Sequence, residues 1–125
     1  MSTSGSTLGA LVLKGAAMRS PIIPPEPENC TSMPEVRAGV DALDAQLVAM
    51  LARRFAYMDA AARIKMDRTA VRDEARKQQV IDHVRGAAAN AGIPVEAVGE
   101  IWELLVEASI AYELDKWDDN QSADG

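Results

Sequence analysis

Two basic side chains lie on the apolar side of the longest helix that the sequence predicts. Arg54 and Lys65 are eleven residues apart, which is about 1100° of helical rotation, so they face within roughly 20° of each other. Both continue the helical spacing of the apolar residues Leu47, Met50 and Met58. A charge on a packing face is costly unless an opposite charge neutralises it. This pattern predicts an anion site inside a helical bundle.

The other two predicted helices also carry polar residues on apolar faces. Ser109 and Glu113 follow Val106 at helical spacing, and Arg76 lies one turn before Val80. The three inward-facing cations outnumber the one inward-facing acid, which predicts a small, multiply charged anionic ligand. Two alternatives stay open at this point. Glu113 could form a structural ion pair with a cation, or the long basic side chains could extend to solvent.

Composition and charge argue against several other functions. The 125-residue chain has a net charge of -6, whereas nucleic-acid binders usually have a basic surface. Nine of the thirteen Lys and Arg residues lie between Arg37 and Lys77, so positive charge is local. The single Cys30 and single His83 cannot form a metal shell. The apolar stretch 8–13 is too short to span a membrane, and we expect a cytoplasmic protein without a membrane partner.

The sequence predicts an all-α chain of three helices with one long N-terminal helix. Ala-rich and Leu-rich segments with few β-branched runs favour helix. Residues 1–30 are rich in Ser, Gly and Pro and are expected to form a disordered N-terminal arm. Residues 31–117 form the predicted helical domain, and residues 118–125 form an acidic tail that is expected to fray.

The first predicted helix is too long for one small chain to cover. It begins with a capping box from Ser32 to Glu35 and continues to about Met66. Such a helix is roughly 50 Å long, whereas a compact domain of this size has a diameter of about 30–35 Å. Its apolar stripe must therefore continue onto a second subunit, which predicts an intertwined helical homodimer.

Capping signals place the two remaining helices. The second helix begins after the N-cap candidate Asp73 and ends at Gly92. The third helix begins at Pro94 and fades near Trp117. The connection 66–71 between the first two helices has no readable pattern.

Arg37 occupies a different position from the other cations. It lies seventeen residues before Arg54, which is about 25 Å along the helix axis and roughly 100° around it. One small ligand cannot contact both side chains from a single helix. In an antiparallel dimer, Arg37 of one subunit could reach the site of the other.

Several short segments occur in a fixed order along the chain: 36–44, 51–54, 64–65, 71–76 and 105–109. Together they resemble the all-helical chorismate mutases, a family that includes the related isochorismate-pyruvate lyases. The resemblance covers about residues 30–117, which is nearly all of the chain that is expected to be ordered. It implies an enzyme that binds a small dianion and needs no cofactor, because the conversion of chorismate to prephenate is a pericyclic rearrangement.

The resemblance implies catalytic roles for three residues and an anchoring role for a fourth. Arg54 and the other subunit's Arg37 would hold the two substrate carboxylates. Lys65 would donate a hydrogen bond to the ether oxygen and to a carboxylate. Glu113 occupies the position of a Gln or Glu that also donates to the ether oxygen, and a glutamate needs a proton to do so.

The remaining implied roles concern the ring of the substrate. Arg76 and Ser109 would help to fix the ring-side carboxylate, and Asp73 would lie near the ring hydroxyl. Lys77 stands where many relatives have a Glu that contacts this hydroxyl. Isochorismate or aminodeoxychorismate therefore stay open as substrates, as does the salicylate-forming isochorismate-pyruvate lyase reaction. A non-enzymatic helical interaction dimer is the remaining alternative.

Overall fold

The computed structural model describes residues 23–124, and every regular element in that range is helical. The predicted all-α class is confirmed. Helix α1 spans Met33–Ile64, α2 spans Glu74–Ala91 and α3 spans Val95–Asp124, with short 3-10 turns at Pro27–Asn29 and Arg68–Ala70. Within this described range, no helix is both long enough and apolar enough to cross a membrane. Most of the predicted N-terminal arm, residues 1–22, lies outside the described residues.

The start of α1 uses the predicted capping residues. Ser32 Oγ accepts a hydrogen bond from the backbone N–H of Glu35 at 3.4 Å. The Glu35 carboxylate in turn accepts from the backbone N–H of Thr31 at 2.8 Å. In an ideal capping box the glutamate would accept from the N–H of Ser32, whereas here it accepts from the N–H of the preceding residue, Thr31. The bond still satisfies an exposed donor next to the helix start.

Both ends of α2 agree with the sequence signals. The Asp73 carboxylate accepts a hydrogen bond from the backbone N–H of Arg76 at 3.0 Å. At the other end Gly92 has φ 73°, a left-handed conformation that glycine adopts without steric cost. The caps fix where α2 begins and ends, and therefore which turn carries Asp73 and Arg76.

Helix α3 is longer than the sequence predicted. It continues past Trp117 to Asp124, so the predicted end near Trp117 is wrong, and residues 118–124 are helical where a frayed tail was expected. Two tertiary contacts support this extension. The Trp117 indole N–H donates to the Lys65 carbonyl at 3.1 Å, and Arg68 forms an ion pair with Asp118.

The chain divides into two units between Val48 and Ala49. In the first unit, Pro24, Pro25 and Cys30 form a groove with Val36 and Val40 of α1 and several neighbouring residues. For residues 24–30 the structure therefore differs from the predicted disordered arm. Proline is excluded from helix interiors, but its ring can pack apolar surface against a helix.

The second unit contains the apolar core of the described chain. Val71, Ile81, Val106 and Ile110 are buried and form one cluster. Val80, Trp102 and Leu114 pack against this cluster. The core joins α2 to α3 and holds the connection after α1 through Val71, so it fixes the segments that carry Asp73, Arg76, Ser109 and Glu113.

Candidate functional site

A cavity of about 350 Å³ lies in the second unit. It is bounded by the C-terminal part of α1, the connection to α2, the first turns of α2, and α3. Six of the seven site residues predicted from the sequence line it: Arg54, Lys65, Asp73, Arg76, Ser109 and Glu113. The seventh, Arg37, belongs to the first unit and is not among the described residues that line this cavity.

A buried serine orients the guanidinium of Arg54. Arg54 Nη1 donates a hydrogen bond to Ser109 Oγ at 2.6 Å, and this hydroxyl donates to the Leu105 carbonyl at 2.7 Å. Ser109 is only 3% exposed. Because the serine is held by its own helix, Arg54 is fixed on one side and keeps its other N–H groups for a ligand.

Two guanidinium groups at the cavity have no carboxylate partner. Arg76 Nη1 donates to the neutral Gln79 amide at 2.6 Å. Among the described residues, neither Arg54 nor Arg76 forms an ion pair. The pKa of Arg54 lies below its usual value because burial disfavours the charged form and the charge of Arg76 repels it. A bound anion would remove that repulsion.

Lys65 and Glu113 form an ion pair on the same cavity wall. Lys65 Nζ lies 2.8 Å from Glu113 Oε2. Glu113 is 4% exposed. Oε2 contacts the ammonium and has no other polar partner in the described structure. The structural ion pair considered from the sequence is thus formed.

Lys77 also lines the cavity, but its charge is already neutralised by α3. Its Nζ lies 2.7 Å from Glu103 and 2.7 Å from Glu107. Arg72 binds the other oxygen of Glu107 at 2.7 Å and also pairs with Glu74. The pKa of Lys77 is raised by its hydrogen bonds to Glu103 and Glu107. Lys77 is therefore not a third unpaired cation.

Residues that could hold a metal ion form no cluster in the described range. No group of three His, Cys, Asp or Glu residues has a suitable arrangement there. The cavity lining offers charge recognition and hydrogen bonding by Arg, Lys, Ser and carboxyl groups.

Comparison with known proteins places the chain in a family. A family model described as chorismate mutase type II matches residues 36–114. The chain belongs to this family. It is also similar to an isochorismate pyruvate lyase from Pseudomonas aeruginosa, with 26% identity over 97 residues that cover 78% of this chain and 96% of that protein. Family membership supports an enzyme that acts on chorismate.

The matched range contains all the cavity-lining residues that the sequence singled out. It also contains two features of this chorismate mutase family member that the sequence did not reveal. One is the ion-pair network of Lys77, Arg72, Glu103 and Glu107. The other is the contribution of the connection to the cavity wall through Ala70 and Val71. The four-residue spacing of Glu103 and Glu107 was visible in the sequence, but their partners were not.

The network predicts a specific loss of stability in acid. Arg72, and then Lys77, lower the pKa of Glu107 from 4.5 to about 2. Since this pKa is lower in the folded state, the stabilisation is present above pH 4.5. It should be lost as the pH falls from 4.5 to about 2. We expect Glu107→Gln to unfold at a lower urea concentration than the wild type at pH 7. Its stability should also depend less on pH between 4.5 and about 2.

The control for this experiment is Glu100→Gln on the same helix, because Glu100 forms no ion pair among the described residues. It should keep the wild-type slope of stability against pH. If stability falls with pH as steeply in Glu107→Gln as in the wild type, the network does not contribute to the loss of stability in acid.

Proposed function

We propose that the chain is a chorismate mutase that converts chorismate to prephenate. The observation that carries this proposal is that two guanidinium groups without a carboxylate partner, those of Arg54 and Arg76, lie at the wall of one cavity. Chorismate carries two carboxylates, so its charge complements this pair. Match to the chorismate mutase type II family over residues 36–114 supports the same substrate.

In the proposed complex, the arginines select a compact conformer of the substrate. Arg54, steadied by Ser109, and Arg37 of a second subunit hold the two carboxylates, while Arg76 helps to bind the ring-side group. Asp73 lies near the ring hydroxyl. Holding both ends of a flexible dianion close together increases the reaction rate, because the reacting atoms are already near each other and correctly oriented.

Lys65 and Glu113 act on the ether oxygen of the bond that breaks. Negative charge grows on this oxygen in the transition state, and donors fixed at this position stabilise it. Lys65 donates from its ammonium group, and Glu113 donates when it carries a proton. The 2.8 Å separation of the two side chains supports action on a single substrate atom.

The proposed enzyme works as a homodimer. Apolar side chains on the first part of α1 are exposed, including Val40 at 50%, Leu43 at 56% and Leu47 at 55%. A contiguous exposed apolar surface of this kind is typical of an interaction site. A second copy of the chain would cover it and bring Arg37 to the cavity. A cytoplasmic location also stays a prediction.

An isochorismate-pyruvate lyase is the second candidate function. The specific observation in its favour is the similarity to the Pseudomonas aeruginosa isochorismate pyruvate lyase, which is covered over 96% of its length. Lys77 adds to it, because this residue offers no carboxylate to the ring hydroxyl. Both reactions are pericyclic and need the same kind of cationic cavity.

Product analysis with both substrates tests the proposal. The purified full-length chain is incubated separately with chorismate and with isochorismate, and prephenate, pyruvate and salicylate are quantified. We expect prephenate from chorismate with the higher kcat/KM. Faster release of pyruvate from isochorismate would make the lyase the main activity. No turnover of either substrate, with no binding of a chorismate transition-state analogue, would favour a non-enzymatic interaction dimer.

A further inference from the structure

We propose that Trp117 and Asp118 on α3 are positioning residues that fix Lys65 and the cavity wall next to it. This inference rests on the proposed function, because it assigns the residues a part in catalysis through Lys65. We call Trp117 and Asp118, together with their partners Arg68 and the Lys65 carbonyl, the α3 latch. Neither Trp117 nor Asp118 lines the cavity itself.

The first contact of the α3 latch is at the backbone of Lys65. At the end of a helix the last carbonyl groups have no partner within the helix. The Lys65 N–H still donates to the Ala61 carbonyl at 2.9 Å, and the Lys65 carbonyl accepts from Trp117 Nε1 at 3.1 Å. The residue whose ammonium group reaches the cavity is therefore held at both of its backbone polar groups.

The second contact holds the connection between α1 and α2. Arg68 Nε and Nη2 donate to the two carboxylate oxygens of Asp118 at 2.9 and 3.1 Å. Such a bidentate ion pair fixes the orientation of the two side chains as well as their distance. Arg68 begins the 3-10 turn Arg68–Ala70, and Ala70 and the following Val71 line the cavity. Asp118 therefore holds the cavity wall through Arg68.

The two contacts should contribute unequally to the position of the Lys65 ammonium group. The side chains of Arg68 and Asp118 are both about half exposed, and exposed ion pairs are screened by solvent and salt. The Trp117 bond is partly buried and ends on Lys65 itself. We therefore expect Trp117 to be the more important residue for the position of the ammonium group, and Asp118 to have a smaller effect in the same direction.

The α3 latch should affect catalysis more than substrate binding. Lys65 acts on the ether oxygen, where charge develops in the transition state, whereas Arg54 and Arg76 bind carboxylates that are charged throughout. An interaction made mainly in the transition state changes kcat, and one made equally in both states changes KM. A small displacement of a catalytic group is enough to cost a large part of the rate.

The test compares the same substitution at the two tryptophans of α3. Trp117→Phe removes the indole N–H and keeps an aromatic ring, and Trp102→Phe is the matched control because Trp102 packs on the apolar core. In the full-length protein we expect Trp117→Phe to lower kcat about tenfold with KM within about twofold of wild type. Trp102→Phe should keep the wild-type kcat, and Asp118→Asn should lower it less than Trp117→Phe.

A second background separates positioning from general destabilisation. If Trp117 acts through Lys65, Trp117→Phe should cause no further loss of kcat in a Lys65→Gln protein. The same tenfold loss in that background, or an unchanged kcat in Trp117→Phe alone, would overturn the inference. Thermal unfolding of each variant shows whether it is folded during the assay.

Amide hydrogen exchange keeps the test independent of the proposed reaction. The latch predicts faster exchange in residues 65–71 of Trp117→Phe than in the wild type or in Trp102→Phe. Wild-type protein that turns over neither chorismate nor isochorismate would contradict the proposed function alone. Unchanged exchange in residues 65–71 would contradict the α3 latch whatever the activity.

Discussion

Replacing Arg54 with methionine should lower kcat/KM about a hundredfold to a thousandfold and leave the protein without substrate at least as stable as the wild type. The loss of activity follows from the proposed contact between Arg54 and a substrate carboxylate. The retained stability follows from the environment of Arg54, whose charged form is disfavoured by burial and by Arg76. Removing an unpaired charge relieves both effects.

The hydrogen bond from Arg54 to Ser109 does not reverse this expectation. Ser109 Oγ also donates to the Leu105 carbonyl at 2.7 Å, so the buried hydroxyl keeps a partner after the substitution. A methionine side chain can fill the space of the aliphatic part of arginine next to Met58, which also lines the cavity. The cost of the substitution is therefore small in the unliganded protein.

The measurements are steady-state kinetics and urea unfolding, with Arg53→Met as the control. Arg53 is the neighbouring residue on α1, is exposed and does not line this cavity. A transition-state analogue should raise the melting temperature of the wild type and of Arg53→Met, but hardly that of Arg54→Met. Loss of stability in Arg54→Met with activity retained would show that the guanidinium is structural.

The sequence could bring residues to one cavity where their positions follow from one helix at a time. Arg54 and Lys65 were found because eleven residues return an α-helix to nearly the same face. Asp73 was found because an N-cap is a local signal. No information about a second helix was needed for either step, and all three residues line the cavity.

The features that the sequence did not reveal depend on contacts between distant parts of the chain. Trp117 reaches a carbonyl 52 positions away. Lys77 is paired with Glu107, which lies 30 positions further along the chain. No local periodicity encodes such pairs, so α3 was predicted to fade where it actually makes its latch contact. The role of Arg37 also depends on a second molecule and stays a prediction.

Glu113→Gln should match or exceed the wild-type kcat/KM, and Glu113→Ala should fall below Glu113→Gln. A protonated carboxyl group can donate a hydrogen bond to the ether oxygen, whereas a carboxylate can only accept one. An ionised Glu113 would also place negative charge beside an oxygen that becomes negative in the transition state. A side chain that always carries a donor should therefore serve the reaction at least as well as the glutamate.

The ion pair with Lys65 defines what Glu113→Gln changes. In the structure Lys65 Nζ lies 2.8 Å from Glu113 Oε2. A glutamine has nearly the same shape and always carries two N–H donors. It leaves Lys65 free to donate to the substrate rather than to a carboxylate. Both changes favour the variant over the wild type in kcat/KM.

The measurement is kcat/KM for wild type, Glu113→Gln and Glu113→Ala in one neutral buffer of constant ionic strength. Glu113→Gln removes the charge and keeps a donor, whereas Glu113→Ala removes both, so the difference between the two variants isolates the donor. Equal rates in Glu113→Gln and Glu113→Ala would show that residue 113 does not donate to the ether oxygen. If the rates of all three proteins coincide, Glu113 neither donates to the ether oxygen nor limits Lys65, and its 4% exposed side chain serves only to neutralise the lysine.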